Sequence, residues 1–227
     1  MKIIFMGTPD YAAAALEALI EAGHEVTAVV TQPDRAKGRS GQVQCTPVKE
    51  CAARHGIVVL QPVKIKAPEA IEELRKYEAD VYVVAAFGQI LSKEILELPR
   101  FGCVNIHASL LPKYRGAAPI NQCIIDGEQE TGVTIMQMDA GIDTGDILTQ
   151  KKVIIEEKET AQTLFDKLSQ AGAALIVETL PKLERGEVTP AKQEESLASY
   201  VKMMDKSQGK IDWTRDAVSV ERRLPET

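Results

Sequence analysis

Residues Asp80 to Phe87 read DVYVVAAF, and this unbroken apolar run decides the architecture. A strand covered on both faces shows no polar alternation, and such strands lie in the middle of parallel sheets. Moving towards the amino terminus, Ile57–Leu60, Val26–Thr31 and Ile3–Met6 are shorter runs of the same kind. Stretches with helical spacing separate them. One opens at Thr8-Pro9-Asp10, runs through AAAALEALIEA and stops at Gly23. A second opens at Thr46-Pro47 and ends near Gly56, and a third covers Pro68 to Tyr77. Threonine before proline reads as a cap followed by a first helical turn. Strands alternating with helices imply an α/β protein, a Rossmann-like, doubly wound, mostly parallel sheet with right-handed crossovers.

Moving towards the carboxyl terminus, Phe101 to Val104 leads into a further buried strand and then into Asn105–Ile120, NIHASLLPKYRGAAPI. Residues two apart on a strand share a face, so Asn105 and His107 are expected to point into one cavity. An amide that polarises a carbonyl beside a group that moves protons suits acyl transfer. Beyond Ile120 the pattern changes. Gly132–Met138 and Ile147–Ile155 read as strands joined by the loop Asp139–Gly145, and Thr160–Leu183 as a long amphipathic helix. Residues 1–188 are expected to form the catalytic unit and 189–207 a polar linker. Residues 208–227 are expected to begin a second unit at Lys210-Ile211-Asp212-Trp213.

The 227 residues, 44% of them hydrophobic and 26% charged, provide a core and an ordinary polar surface. A net charge of −6 argues against a general nucleic-acid coat, but charge can be local. From Thr31 to His55 five cations (Arg35, Lys37, Arg39, Lys49, Arg54) face two anions (Asp34, Glu50), a local +3. Such a segment is either a plain surface loop or a finger for phosphates. The four cysteines lack C-x-x-C spacing and nearby histidine pairs, so free thiols and no metal are expected. No run approaches the roughly 20 apolar residues of a membrane span, and MKIIFMGTPD is unlike a secretory leader. A soluble, cytoplasmic protein is expected.

The first strand-to-helix turn carries Gly7-Thr8-Pro9 where a dinucleotide site needs G-x-G-x-x-G, which disfavours nicotinamide and flavin cofactors. His24 and His55 sit at helix ends and read as structural. His107, between Asn105 and Ser109 at a strand end, reads as catalytic. In the loop MDAGIDTGDIL, Asp143 lies in the middle and is the candidate partner of His107. Asp139 and Asp146 adjoin the strands and are expected to cap or pair locally. Lys113 and Arg115 offer cations for a substrate tail, or simply a solvated loop.

These stretches together resemble the methionyl-tRNA formyltransferases. FMGTPDYA, TQPDRAKGR, VVAAFGQILSKEIL, NIHASLLPKYRGAAPI, TGVTIMQMDAGIDTGDIL and IDW follow that family's order and spacing. The resemblance implies transfer of a formyl group from 10-formyltetrahydrofolate to the amine of initiator methionyl-tRNA, without a metal, by a monomer. It matches Asn105, His107 and Asp143 to the catalytic trio, with Asp143 orienting His107 as the acid of a triad does. It matches Ser109, Leu110, Leu111 and Pro112, with Phe87, Gly88, Gln89, Ile90 and Leu91, to the folate-binding wall. It matches Arg39 to a loop near the acceptor stem, and Arg35, Lys37 and Arg115 are expected to support the tRNA contact. Residues 208–227 would then begin a C-terminal tRNA-binding barrel, most of which this chain is expected to lack. With that barrel missing, the polypeptide is expected to bind folate but to formylate Met-tRNA poorly. The loop Gly38–Gln42 carries fewer cations than is usual in the family. The alternatives are another 10-formyltetrahydrofolate-using formyltransferase or hydrolase, or a shortened folate-binding module with little activity.

Overall fold

A computed structural model describes residues 1–37, 42–205, 210, 214, 216 and 220–222. In chain order the first elements are β1 (Lys2–Gly7), α1 (Asp10–Glu21), β2 (Glu25–Val30), the hairpin β3 (Arg35–Lys37) and β4 (Gln42–Gln44), and α2 (Pro47–Arg54). Then follow β5 (Val59–Leu60), α3 (Pro68–Leu74), β6 (Val81–Ala85), α4 (Lys93–Leu96), β7 (Cys103–His107) and β8 (Arg115–Gly116). The chain continues through α5 (Pro119–Asp126), β9 (Glu130–Gln137), β10 (Ile147–Ile154), α6 (Ala161–Glu184) and β11 (Tyr200–Val201).

The main sheet has seven strands in the order β10-β9-β7-β6-β1-β2-β5. β7, β6, β1, β2 and β5 run parallel, while β9 and β10 are antiparallel additions at the β7 edge. The winding turns one way from β1 through β2 to β5 and then restarts at β6 on the other side of β1. Such a reversal opens a crevice at the carboxyl ends of the strands, where ligands of doubly wound sheets bind.

Strand alternation divides the core in two. Ile3 and Phe5 of β1, with Val81 and Val83 of β6, pack under α1, α2, α5 and α6. Ile4, Met6, Tyr82 and Val84 point the other way, towards α3 and α4. Val81–Ala85 is therefore apolar throughout because both its faces are covered. Gly7 ends β1 where an added Cβ would meet Cβ of Ala12 at 2.5 Å, so a side chain there would push α1 off the sheet.

Helix signals are met unequally. Thr46 caps α2 by accepting from the Lys49 amide at 3.1 Å, and Thr160 caps α6 in a reciprocal box with Thr163. Thr8 does not cap α1: Pro9 holds the cap position. The Thr8 hydroxyl instead donates to the Phe87 carbonyl at 3.1 Å, tying the end of β1 to the loop after β6. Helix α3 stops at Leu74 rather than Tyr77, and β5 keeps only Val59 and Leu60 of the expected strand.

The segment expected to be a linker packs back on the body. Ala191 bridges Ile147, and β11 pairs in parallel with β8. Ile211, Asp212 and Trp213, like most of 208–227, lie outside the described residues.

Candidate active site

Asn105 and His107 end β7 on one face, as strand alternation requires, with Asn105 in register with Val84 of β6 and Met136 of β9. Both border a cavity of about 1010 Å³ at the carboxyl edge of the sheet. Phe87 to Leu91 form one wall, and Met136, Met138 and Ile142 line the side beside the acid loop. Tyr11 of α1 and Phe165 of α6 close another side, their rings edge to face at 5.8 Å.

Asp143 is brought to these residues by the β9–β10 loop. Its Oδ2 lies 3.7 Å from Nδ1 of His107, and its Oδ1 accepts from Nδ2 of Asn105 at 3.4 Å. The main-chain amide of Gly116 donates to Oδ2 at 2.8 Å, the shortest of the three contacts. The imidazole is also held from its other side. Nε2 of His107 lies 2.9 Å from the carbonyl oxygen of Tyr114, which can only accept, so Nε2 carries the hydrogen. In the neutral ring Nδ1 then bears the lone pair. Tyr114 fixes the neutral tautomer, and Asp143 lies opposite Nδ1.

Among the described residues three non-glycines adopt left-handed backbone: Ala86 (φ 43°), Tyr114 (φ 61°) and Asp143 (φ 53°). Ala86 and Asp143 line the cavity and Tyr114 holds His107. Strain of this kind persists only where surrounding contacts over-determine it, and it gathers at functional sites.

The other expected residues divide sharply. The Phe87–Leu91 stretch lines the cavity, though the Gln89 side chain is engaged elsewhere, accepting from the Ile65 amide and donating to the Pro62 carbonyl. Ser109, Leu110, Leu111 and Pro112 form a turn beyond β7 and are not among the residues that line the cavity. Ser109 is buried, its hydroxyl donating to the Lys113 carbonyl at 2.6 Å. The Thr134 hydroxyl donates to the Ser109 carbonyl at 2.6 Å and accepts from the Leu111 amide at 3.1 Å. A buried turn must satisfy its peptide groups, and β9 supplies the partner.

Arg115 is corrected: it is fully buried and cannot be a surface cation. Its Nη1 donates to both oxygens of Glu195 and to the Tyr200 hydroxyl, and its Nε to Oε1 of Gln193. A buried guanidinium must be paired, and the segment after α6 provides the pairs. Arg35 is exposed on the β3–β4 hairpin, whose base is fastened by the Asp34–Lys49 ion pair. That ammonium holds the Asp34 carboxyl below its ordinary range. The side chain of Lys37 and all of Arg39 lie outside the described residues.

Asp139 pairs locally, accepting from the Gly141 amide and the Thr144 hydroxyl. His55 ends α2 and pairs with Glu17 at 2.5 Å, which holds that carboxyl low. Among the described residues no helix is long and apolar enough to cross a membrane. Sequence reading missed the Tyr114 carbonyl and the Gly116 amide, for main-chain groups carry no residue-type signal. It also missed Gln193, which lies fifty positions from the loop it meets.

A directed amide, a tautomer-locked imidazole and a carboxylate at the mouth of a doubly wound sheet define an enzyme of group transfer to or from a carbonyl carbon. The chain belongs to the formyl transferase family, whose profile matches residues 1–180. It is 55% identical over 224 residues to the methionyl-tRNA formyltransferase of Citrifermentans bemidjiense, covering 99% of this chain and 70% of that protein. It is 58% identical to the one from Agathobacter rectalis, covering 99% of this chain and 72% of that protein. The fold is that of an N-formyltransferase from Helicobacter canadensis solved with folinic acid and dTDP-3-aminofucose. That match has a TM-score of 0.76 and 22% identity, over 98% of this chain and 79% of that one. The phosphoribosylglycinamide formyltransferase of Bacillus halodurans matches with a TM-score of 0.68 and 29% identity, over 81% of this chain and 95% of that one.

Proposed function

We propose that this chain transfers a formyl group from 10-formyltetrahydrofolate to the α-amine of initiator methionyl-tRNA, using Asn105, His107 and Asp143. The convergence of these three side chains on one cavity is the observation that carries the reading. The apolar wall of Phe87 and Leu91 suits a flat heteroaromatic ring. Exposed Arg35 on its hairpin, with Lys37 and Arg39 beside it in sequence, suits a tRNA backbone.

The amine nitrogen attacks the formyl carbon, and the carbonyl oxygen takes up the negative charge. One N–H of Asn105 is directed at Asp143, which leaves the other for that oxyanion. The proton released by the new C–N bond passes to Nδ1 of His107, and the imidazolium faces the Asp143 carboxylate. Returning that proton to the donor nitrogen as its bond to the formyl carbon breaks completes the exchange. The amine loses one proton and the folate nitrogen gains one, so the step balances.

A transfer assay with the folate donor and charged initiator or elongator tRNA tests the proposal. Slow but measurable formylation of initiator Met-tRNA by the wild type, and none by His107→Ala, is expected. Undiminished transfer by His107→Ala would overturn the assignment.

A further inference from the structure

Asp143 is held from two directions. Its carboxylate accepts from the Gly116 amide. Its carbonyl oxygen and that of Gly145 both accept from one atom, Nε2 of Gln193, at 2.8 and 2.7 Å. A primary amide carries two hydrogens, so both are used. The other end of the same side chain, Oε1, accepts from Nε of Arg115 at 3.0 Å. Arg115 is the residue immediately before Gly116. Its own amide donates to the Ser199 carbonyl and that of Ala117 to Val201, completing the β8–β11 ladder.

We propose that Gln193 is a positioning residue for Asp143. It is held by buried Arg115 and makes the acid loop, β8 and the segment Gln193–Val201 one mechanical piece. It reaches no reacting atom, and its effect passes through the backbone of Asp143. A left-handed aspartate costs free energy to hold, and two carbonyls fixed by one donor offset that cost. The segment that leaves the catalytic unit after α6 thereby sets the distance between carboxylate and imidazole.

The role in catalysis rests on the formyl-transfer reading, whereas the mechanical link does not, and two measurements on the whole chain separate them. The first is site-resolved amide exchange of Gln193→Ala. The Gly116 amide is held by the Asp143 carboxylate, while those of Arg115 and Ala117 report the ladder. The expected result is at least tenfold faster exchange at Gly116 with Arg115 and Ala117 still protected. Unchanged exchange at Gly116, or equal loss at all three, overturns the proposal. The second is steady-state formylation. Displacement of a reacting group by about 1 Å costs on the order of 10²-fold, so kcat is expected to fall 10- to 100-fold with KM for the folate donor unchanged. A wild type inactive on Met-tRNA overturns the formyl-transfer reading and leaves the exchange result to decide the link. An active wild type whose kcat survives Gln193→Ala overturns the positioning role alone.

Discussion

Nε2 of His107 donates to the carbonyl oxygen of Tyr114 at 2.9 Å, and this bond decides which ring nitrogen faces the cavity's acid. With Nε2 committed, Nδ1 carries the lone pair of the neutral ring, and Oδ2 of Asp143 lies 3.7 Å from it. The carboxylate meets the ring as an ion-pair partner for its charged form.

Asn105→Ala is expected to lower kcat by about 10²- to 10³-fold, the usual cost of one lost oxyanion donor. Its Nδ2 also donates to Asp143, so some loosening of the acid adds to the loss. Steady-state kinetics with saturating folate donor checks this, and a kcat within threefold of wild type would remove Asn105 from the mechanism.

Gly145→Ala is expected to damage both stability and activity. An added Cβ would sit 1.7 Å from the Gln137 carbonyl oxygen, a backbone atom that cannot swing aside. Overpacking of this kind costs about 1–3 kcal/mol, and here relief must come from the loop that carries Asp143. Thermal unfolding and kcat, measured together, should fall together. A variant of wild-type stability and rate would show that the loop tolerates the shift.

Tyr11→Phe is expected to leave stability unchanged or to raise it by up to about 1–3 kcal/mol. The Tyr11 hydroxyl is buried without a hydrogen-bond partner among the described residues. Removing an unsatisfied polar atom recovers its desolvation penalty. Denaturant unfolding measures the change. A loss of stability would mean that the hydroxyl has a partner in solution.

The thiols give a pH dependence. Burial pushes Cys103 up to about 12 and Cys123 up to about 11, and burial with the Glu17 carboxylate beside it takes Cys51 to about 12. These groups are neutral when protonated, and in the unfolded chain they ionise near the ordinary thiol value of about 8.5. Below that pH both states hold the proton and stability is unaffected. Above it the unfolded chain loses protons that the folded chain keeps, so stability falls as pH rises through about 9 to 12. At pH 10 the penalty for Cys103 is about 2 kcal/mol, at 1.36 kcal/mol per unit. Unfolding midpoints at pH 7 and pH 10, with Cys103→Ser as control, test the direction. Alkylation of the native chain should reach Cys45, which is exposed, and spare the three buried thiols.

Much of this molecule is legible in its sequence. Unbroken apolar runs and helices between them reveal the doubly wound sheet, because both signals depend on near neighbours. Asn105 and His107 share a face by the same rule, and a glycine-bracketed loop marks Asp143. At Arg115 and in the turn from Ser109 to Pro112, partners distant in sequence decide the environment. A cation in a polar stretch looks solvent-exposed until a distant segment brings Glu195, Gln193 and Tyr200 over it. The Ser109 turn looks like a free loop until Thr134 takes up its peptide groups.

The sequence by itself therefore determined the sheet, the family resemblance and the three side chains proposed to react. Only the tertiary structure decided which nitrogen of His107 is free, what holds Asp143 in a left-handed conformation, and which cations reach solvent. Local periodicity records how a segment meets its own core. Burial of a polar group, and the partner that compensates it, depend on chain segments far apart in sequence. Gln193 meets Asp143 only after β10 and α6 have folded between them.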